Sequence, residues 1–398
     1  MTEQSDMAGQ SDAIEHCDIG IIGGGPVGAA LALALRDSGL DIRVLEARKA
    51  ETASSDARAL ALSCGTRLLL DRLGIWDKLH PVSSIRTIHV SQRHSFGRAV
   101  LRAGELDVPE LGYVLPYPVL QDTLDGAMRA SAAKVVYGAS VTGLQGESGD
   151  AVIRYQLDGA EHELHTRLAV VADGGRLLAQ QFPPETRDYG QSALITHVTC
   201  AALKADTAYE RFTAQGPMAL LPFQDGYELV WTAPHERAQE MLAWSDARFL
   251  HELHLHFGDR VGAFTGVGKR SCFALGLKRA PQQTPMPHTV LLGNAAQTLH
   301  PVAGQGFNMG VRDAWELAQV ILDTKPEELG TEPMLAAYRA SRRTDREAGI
   351  RFTDGLVRLF SNDLPLLTPA RAASLSLLDC LPFAKKFVAK RMMFGANG

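Results

Sequence analysis

The sequence predicts an α/β fold, in which a Rossmann-like lobe contains an inserted sheet-based domain and is followed by C-terminal helices. Residues 18–39 and residues 289–314 both follow the order strand, glycine-rich loop, helix. A strand-rich block of different character, residues 187–287, lies between these two units. A chain of 398 residues is long enough for two substantial cores. We therefore assign both glycine-containing units to one lobe and the block between them to a second domain.

The first unit has the pattern of a dinucleotide-binding fold. A β-branched run at residues 18–22 is followed at once by the motif GxGxxG and then by an Ala/Leu-rich helical pattern. In such a unit Gly23 makes the tight turn, Gly25 admits the pyrophosphate, and Gly28 lets the helix pack on the strand. The next apolar run ends in Glu46, which is placed to accept a hydrogen bond from a ribose hydroxyl. The candidate cofactor-binding residues of this unit are Gly23, Gly25, Pro26, Gly28 and Glu46.

This unit alone does not show whether the dinucleotide is FAD or NAD. The alternative interpretation is that it is a glycine-rich turn in an unrelated α/β sheet, without a bound dinucleotide. No second GxGxxG with a following helix occurs downstream, although a reductase with two dinucleotide sites would be expected to have one. A second glycine-rich turn begins at Gly293, 265 residues after Gly28. We therefore expect one cofactor to span an N-terminal and a C-terminal segment of the lobe, and FAD is long enough to do so.

The second unit is the stretch around which the chain is organised. An apolar run at residues 289–292 ends in a Gly-Asn pair, and a loop with two further glycines leads to a helical pattern that opens at Phe307. Glycines let the backbone approach a ligand, and the free N–H groups of a first helical turn can donate to an electron-rich edge such as an isoalloxazine carbonyl. An ordinary strand-to-helix turn is the alternative. The candidate residues of this unit are Gly293, Asn294, His300, Pro301, Gly304, Gln305, Gly306, Phe307 and Asn308.

The same stretch resembles the signature of the UbiH-type family of FAD-dependent ubiquinone-biosynthesis hydroxylases. The residues that fill the signature are His300, Pro301, Val302, Ala303, Gly304, Gln305, Gly306, Asn308, Gly310 and Asp313. The resemblance implies an FAD-binding lobe of the glutathione-reductase type in a p-hydroxybenzoate-hydroxylase-like fold. It also implies that Pro301 and residues 304–306 lie against the isoalloxazine, with backbone N–H groups near Phe307 and Asn308 at its pyrimidine end. The catalytic candidates are His300, Pro301 and Gln305.

Four further residues match positions that are associated with the cofactor in this family. Arg58 matches an arginine close to the flavin, and a solvated arginine that caps a loop is the alternative. Gln121 matches a polar residue near the FAD ribose, with an ordinary exposed glutamine as the alternative. Asp173 matches the start of a motif tied to FAD and nicotinamide handling, although the usual Ser and Arg of that motif are absent. Asn294 stands where most members have Asp, and its amide can donate or accept at the same reach.

The units imply a division of the chain into domains. The predicted regions are a disordered N-terminal lead-in at 1–16, a discontinuous FAD-binding domain at 17–84, 103–186 and 288–330, a substrate domain at 85–102 and 187–287, and a C-terminal helical region at 331–398. Within the last region we expect a long helix over 334–360 with Arg342, Arg343, Asp345 and Arg346 on a charged face.

The tail from residue 371 onward is basic and amphipathic. Its basic residues are Arg371, Lys385, Lys386, Lys390 and Arg391. Such a tail can rest on an anionic membrane, or it can pack against the body with its basic residues solvated. Association with a quinone-biosynthesis (Ubi) complex or with a second copy of the chain is left open.

Composition excludes several classes of function. The net charge of −5 and pI near 6.2 give no sign of nucleic-acid binding. Five scattered cysteines form no CxxC pair and predict neither a disulfide framework nor a metal site. The first residues lack the basic and apolar regions of a signal peptide. We therefore expect a cytoplasmic protein. A peripheral position at the inner face of the cytoplasmic membrane is the second option for its location.

The family resemblance also implies a reaction. It implies that a polyprenyl-methoxyphenol ring is hydroxylated in ubiquinone biosynthesis, with NAD(P)H and O2 as co-substrates, by a flavin C4a-hydroperoxide that transfers its distal oxygen to the ring. No sequence signature of a nucleophile or a metal site competes with this interpretation. The alternatives are a sister hydroxylase of another ring position, a non-oxygenating FAD-dependent reductase, and a scaffold subunit that binds FAD without turnover.

Overall fold

A computed structural model describes residues 15–50, 52, 56, 58–360 and 367–396. The strands of the described residues are, in chain order, β1 (Glu15–Ile22), β2 (Ile42–Glu46), β3 (Ala59–Ser63), β4 (Ser83–Ile85), β5 (Thr87–Gln92), β6 (Arg98–Arg102), β7 (Gly112–Pro116), β8 (Lys134–Tyr137), β9 (Ser140–Gly146), β10 (Ala151–Leu157), β11 (Ala160–Val171), β12 (Glu185–Cys200), β13 (Thr207–Thr213), β14 (Gly216–Phe223), β15 (Gly226–Pro234), β16 (Phe264–Val267), β17 (Ser271–Arg279), β18 (Thr289–Leu291) and β19 (Gln297–Thr298).

The α-helices of the same residues are α1 (Pro26–Ala34), α2 (Cys64–Arg72), α3 (Tyr117–Arg129), α4 (His235–Leu242), α5 (Asp246–Phe257), α6 (Gln305–Asp323), α7 (Glu332–Phe360), α8 (Leu367–Cys380) and α9 (Pro382–Phe394). None of these helices combines the length and the apolarity that a membrane span requires. Strand β1 begins at Glu15, inside the predicted lead-in, so the prediction of disorder is wrong for residues 15 and 16. The rest of that lead-in, residues 1–14, lies outside the described residues.

A seven-stranded sheet brings the two glycine-containing units together. Its order is β8-β2-β1-β11-β10-β9, and β18 pairs with β11. Ile21 of β1 lies opposite Val44 of β2 on one side and Val170 of β11 on the other, all in parallel pairs. Val170 also pairs in parallel with Val290 of β18. Because parallel strands present their carboxyl ends at one edge, the loops that follow β1 and β18 lie at the same edge of the sheet.

A second, nine-stranded sheet is formed from the 187–287 block together with β5, β6 and β19. Its order is β19-β17-β12-β15-β14-β13-β5-β6, and β16 pairs with β12. One face packs on α4 and α5 through an aromatic-rich core. That core includes Trp231, Trp244, Phe249 and Phe257. The opposite face is directed towards the glycine loop of the first lobe, where β13 and β14 line a cavity.

The predicted charged face of the long helix α7 is wrong. Arg342 is 1% exposed, and its Nε donates to Asp313 Oδ1 at 2.7 Å while its Nη2 donates to Asp345 Oδ2 at 2.7 Å. Arg346 is also buried and donates from Nε to Gln297 Oε1 at 2.9 Å. Of the four predicted residues, Arg343 alone is exposed. Arg342, Asp345 and Arg346 therefore join α7 to α6 and to β19, and these three residues do not form a solvated surface.

The C-terminal helices pack against the body. Lys385 is buried, donates from Nζ to Val100 O at 3.0 Å and forms an ion pair with Glu105 at 2.9 Å. Arg371 is also buried. The expectation that packing would leave all the basic residues solvated is therefore wrong for Arg371 and Lys385. It holds for the exposed residues Lys386, Lys390 and Arg391.

Candidate functional site

Two positions of the first glycine loop, Gly23 and Gly28, have no room for a side chain, whereas Gly25 faces open space. A Cβ on Gly23, whose φ is +104°, would lie 2.7 Å from Ala172 O, and a Cβ on Gly28 would lie 2.1 Å from Gly23 O. Gly25 has an ordinary φ of −64°, and nothing lies within 4 Å of a Cβ built there. No side chain of the described residues caps α1, which begins directly after Gly25 at Pro26. The open space and the free N–H groups of the first turn fit a pyrophosphate.

Glu46 and Gln121 hold this loop from two sides. Glu46 is buried, and its Oε2 accepts from Gly24 N at 2.6 Å while its Oε1 accepts from Arg48 N at 2.8 Å and Arg48 Nε at 3.1 Å. A carboxylate has about four lone-pair positions, so one remains for a ribose hydroxyl. Gln121 is 1% exposed and donates from Nε2 to Gly24 O at 3.1 Å. The alternative of an ordinary exposed glutamine is therefore wrong.

The second glycine loop packs directly on the first. Gly293 has a φ of +55°, and a Cβ there would lie 3.1 Å from a methyl group of Val27 at the start of α1. Asn294 is exposed, and its carbonyl oxygen lies 3.0 Å from a Cβ built on Gly175. The adjacent turn is held by Asp173. These contacts bring the predicted residues of both units, and the turn after β11, to one edge of the sheet.

The carboxylate of Asp173 is occupied by the turn that it begins. It accepts from Gly175 N at 2.8 Å, Arg176 N at 3.0 Å and Leu177 N at 2.7 Å. Leu177 stands where the family motif has Ser. The side chain therefore shapes the loop beside Asn294, and direct cofactor contact by Asp173 stays a prediction.

Helix α6 begins at Gln305, two residues earlier than the predicted opening at Phe307. Gly304 is the N-cap residue, with left-handed φ and ψ of 60° and 26°, and no side chain caps the helix. Gly306 lies in the first turn, and nothing lies within 4 Å of a Cβ built on it. Phe307 is half-buried against the core of the lobe. The uncapped N–H groups and the open space at Gly306 fit the approach of a flavin edge.

The Asn308 side chain positions this loop. Its Nδ2 donates to Gly304 O at 2.7 Å and to Ala61 O at 3.0 Å, and its Oδ1 accepts from Ser63 N at 2.9 Å. The amide is 2% exposed. All three bonds join the start of α6 to β3, so the side chain acts on the loop, while cofactor contact through the backbone stays a prediction.

His300 and Gln305 are also tied to the protein. His300 is 1% exposed, and its Nδ1 accepts from Val302 N at 3.1 Å. Burial lowers the pKa of His300 to about 4, so the ring is neutral at pH 7. Gln305 donates from Nε2 to Met392 O at 3.3 Å, which joins the loop to α9. The catalytic roles assigned to these two side chains stay predictions.

Pro301 lies between two cavities and lines both. The first, of about 390 Å³, is also lined by Arg58 and Asn294. Arg58 is exposed, donates from Nε to Asp56 Oδ1 at 2.8 Å, and has its guanidinium 5.3 Å from the centroid of the Phe273 ring. It is therefore both a loop-capping arginine and a cavity residue close to the candidate flavin loop.

The second cavity, of about 330 Å³, is the one we call the apolar cavity. The sheet contributes Ile88, Val90, Ala208, Glu210, Phe212, Ala219, Leu221 and Val230. The glycine loop contributes Pro301, Val302, Gly304, Gln305 and Asn308. Helices α7 to α9 contribute Phe352, Leu356, Phe360, Leu375, Leu378, Val388, Ala389, Met392 and Met393. Sequence reasoning missed the helical wall, although the spacing of Phe352, Leu356 and Phe360, four residues apart, was a signal of one apolar helix face.

Comparison with known proteins agrees with this geometry. Residues 16–353 match the family described as FAD binding domain. The chain is 31% identical to the ubiquinone hydroxylase UbiL of Rhodospirillum rubrum, over 97% of this chain and 91% of that protein. It is 32% identical to the 3-demethoxyubiquinol 3-hydroxylase of Escherichia coli, over 88% of this chain and 91% of that protein.

A solved structure shares the fold. The p-nitrophenol 4-monooxygenase PnpA of Pseudomonas putida superposes with a TM-score of 0.76 at 16% identity, covering 97% of this chain and 99% of that one. The predicted α/β fold of the p-hydroxybenzoate-hydroxylase type is thereby confirmed, as is FAD as the cofactor. The chain belongs to the FAD binding domain family and is one of its flavin-dependent monooxygenases.

Proposed function

We propose that the protein hydroxylates the ring of a polyprenyl-methoxyphenol in ubiquinone biosynthesis. The observation that supports this most directly is the apolar cavity, which extends from the glycine loop at Pro301 to the helical wall. A phenol ring at the loop with its prenyl tail along the helices suits this shape and lining. The names of UbiL and of the 3-demethoxyubiquinol 3-hydroxylase support the pathway. A sister hydroxylase of another ring position is the alternative within the class.

The chain's own residues would bind, orient and shield the reacting groups. The α1 loop at Gly25, with Glu46, would hold the dinucleotide end of FAD, and the N-terminus of α6 at Gly306 would hold its flavin end. When bound, FAD supplies the electron transfer from NAD(P)H to O2. Asn308 keeps the α6 loop in place, and the apolar walls exclude water from the site where oxygen is transferred to the ring.

The purified, FAD-loaded protein is expected to couple NAD(P)H oxidation to ring hydroxylation. Anaerobic NAD(P)H should bleach the flavin absorption, and air should restore it. In the presence of a prenylated methoxyphenol, one hydroxylated product should form for each O2 consumed. Flavin reduction without substrate-dependent O2 consumption would favour the reductase alternative, and FAD binding without reduction would favour the scaffold.

We also propose that the outer surface of α8 and α9 rests on an anionic membrane. Four apolar side chains are exposed there: Leu377 (59%), Leu381 (46%), Phe383 (85%) and Phe387 (55%). The exposed basic residues Lys386, Lys390 and Arg391 lie on the same helix as the two phenylalanines. Exposed aromatic residues beside lysines are typical of a helix at a lipid interface. The inner face of the same helices lines the apolar cavity, so a prenyl tail could pass from the lipid to the site.

Vesicle binding tests this surface. The wild-type protein should co-sediment with phosphatidylcholine vesicles that contain phosphatidylglycerol, and less with phosphatidylcholine alone or at high salt. The double variant Phe383→Ser/Phe387→Ser should lose most of this binding. Leu255→Ser, which removes a side chain 54% exposed on α5, is the matched control and should bind like the wild type. Equal binding by the double variant would contradict the proposal.

A further inference from the structure

One ionisable side chain lies in the apolar cavity with no role assigned to it. Glu210 is at the centre of β13, between Val90 of β5 and Ala219 of β14. Its strand neighbours two residues away, Ala208 and Phe212, line the same cavity. Among the described residues, Glu210 contributes the one carboxyl group to the cavity wall.

Among the described residues, no charged side chain in the cavity compensates this carboxyl. Its neighbour Arg211 is engaged elsewhere, where it donates from Nε to His256 O at 3.0 Å. The other titratable side chain at the cavity, Tyr209, packs edge-on against Phe257 within the core of the opposite face. No charged group of β5, β14, the glycine loop or α7 to α9 lines the cavity among the described residues. Desolvation by burial raises the pKa of Glu210 to about 8.

A desolvated carboxyl without a charged partner destabilises the fold at any pH above the pKa that it has in the unfolded chain. Such groups are therefore uncommon unless they act on a ligand. The same cavity also reaches the α6 loop, where Pro301 and Gly304 form part of its wall. A ring that lies between the sheet and this loop would have the Glu210 carboxyl on its sheet side.

We propose that Glu210 accepts the proton of the substrate's phenol hydroxyl. This proposal rests on the proposed function, because it requires a phenolic substrate. The phenol O–H bond breaks, its electron pair stays on the phenol oxygen, and the proton forms the O–H bond of the carboxyl group. The electron-rich ring can then take up the oxygen atom that the monooxygenase reaction supplies. When the ring regains aromaticity it loses the proton of the hydroxylated carbon, which ends in the water formed from the second atom of O2, and the carboxyl group returns its own proton to the phenol oxygen.

The acid strengths suit this transfer. A phenol has a pKa of roughly 10, and an unperturbed glutamate has one of roughly 4.3, which makes it a poor base for a phenol. A carboxylate whose pKa is about 8 is a much better match. Because Glu210 must be ionised to act, the rate of hydroxylation should rise about tenfold between pH 7 and pH values above 8 and then level off.

Infrared titration tests the carboxyl group without any turnover. In the wild-type protein, a C=O band of a protonated carboxyl should disappear with a midpoint near pH 8, and Glu210→Gln should lack this band. Glu228→Gln is the control, because Glu228 is a half-buried carboxylate on β15 of the same sheet that pairs with His197 outside the cavity. It should retain the band. Ionisation of Glu210 near pH 4 to 5 would overturn the proposal.

Thermal unfolding gives a second readout of the same group. The folded-state pKa lies above the unfolded value, so the favourable contribution of protonated Glu210 is fully present below about pH 4 and is lost as the pH rises through 8. The wild-type unfolding temperature should therefore fall more steeply between about pH 5 and pH 8 than that of Glu210→Gln, and the two pH dependences should run parallel above pH 8. Parallel pH dependences in the two proteins would contradict the buried, protonated state.

The hydroxylation rate then distinguishes a proton-accepting role of Glu210 from a purely structural role. Glu210→Gln, with normal FAD content and circular dichroism, should lower kcat by roughly 100-fold or more and should lose the rise towards pH 8. Glu210→Asp should restore that rise at a lower rate. If Glu210→Gln hydroxylates with an unchanged rate and pH profile, Glu210 is not the proton acceptor. If the wild-type protein hydroxylates no phenol while the infrared titration still has its midpoint near pH 8, the proposed function fails instead.

Discussion

A Gly25→Val variant is expected to fold and to lose FAD. The φ of −64° at this position is accessible to any L-residue, and an added Cβ meets no atom of the described residues within 4 Å. The valine methyl groups would instead occupy the space through which a pyrophosphate approaches the N-terminus of α1. We expect FAD affinity to fall roughly 100-fold or more, which corresponds to about 3 kcal/mol. Flavin absorbance of the purified protein and titration of the apoprotein with FAD measure this change.

Two further glycine variants give this experiment its controls. Gly126→Val places the same side chain on the exposed part of α3, where nothing lies within 4 Å of the new Cβ, and it should retain FAD. Gly28→Ala should disturb the fold itself, because its Cβ would lie 2.1 Å from Gly23 O. A Gly25→Val protein with wild-type FAD content would show that the cofactor does not approach the backbone at this loop.

An Arg342→Ala variant is expected to lower the free energy of unfolding by about 3–5 kcal/mol. Arg342 is 1% exposed and Asp313 is fully buried, with Nε and Oδ1 2.7 Å apart. Removal of the guanidinium leaves the Asp313 carboxylate buried with only the Gln297 amide, which donates from Nε2 at 2.7 Å, as a described hydrogen-bond partner. Urea denaturation followed by circular dichroism measures the loss.

The adjacent residue supplies the matched control. Arg343 carries the same charge on the same helix, but it is exposed. Arg343→Ala should change the free energy of unfolding by no more than about 0.5 kcal/mol. A similar small change in both variants would mean that the buried ion pair between α6 and α7 contributes little to stability.

Elements with a strong local pattern were predicted closely. The apolar run at residues 289–292, expected as a strand before the second glycine loop, forms β18 (Thr289–Leu291). The strand, GxGxxG and helix order of the first unit was also confirmed. In such stretches the conformation depends on residues three or four positions apart, and these are visible in the sequence.

Elements whose state depends on distant residues were predicted less well. The start of α6 was misplaced by two residues, because Gly304 has no side chain with which to mark an N-cap. The polar residues of α7 were read as a solvated face, although three of them are buried. Their partners Asp313 and Gln297 lie 29 and 49 residues away from Arg342 and Arg346, respectively.

The sequence by itself determined the two glycine loops, FAD as the cofactor and the class of reaction, while the joint use of both loops by that cofactor stays a prediction. Each of these is a property of short segments whose residue types specify a backbone shape and a ligand. The tertiary structure alone decided that Asn308 holds the α6 loop to β3, that helices α7 to α9 close the apolar cavity, and that Glu210 lies in that cavity without a charged partner. Burial and pairing depend on which distant elements meet, and no local pattern encodes that information.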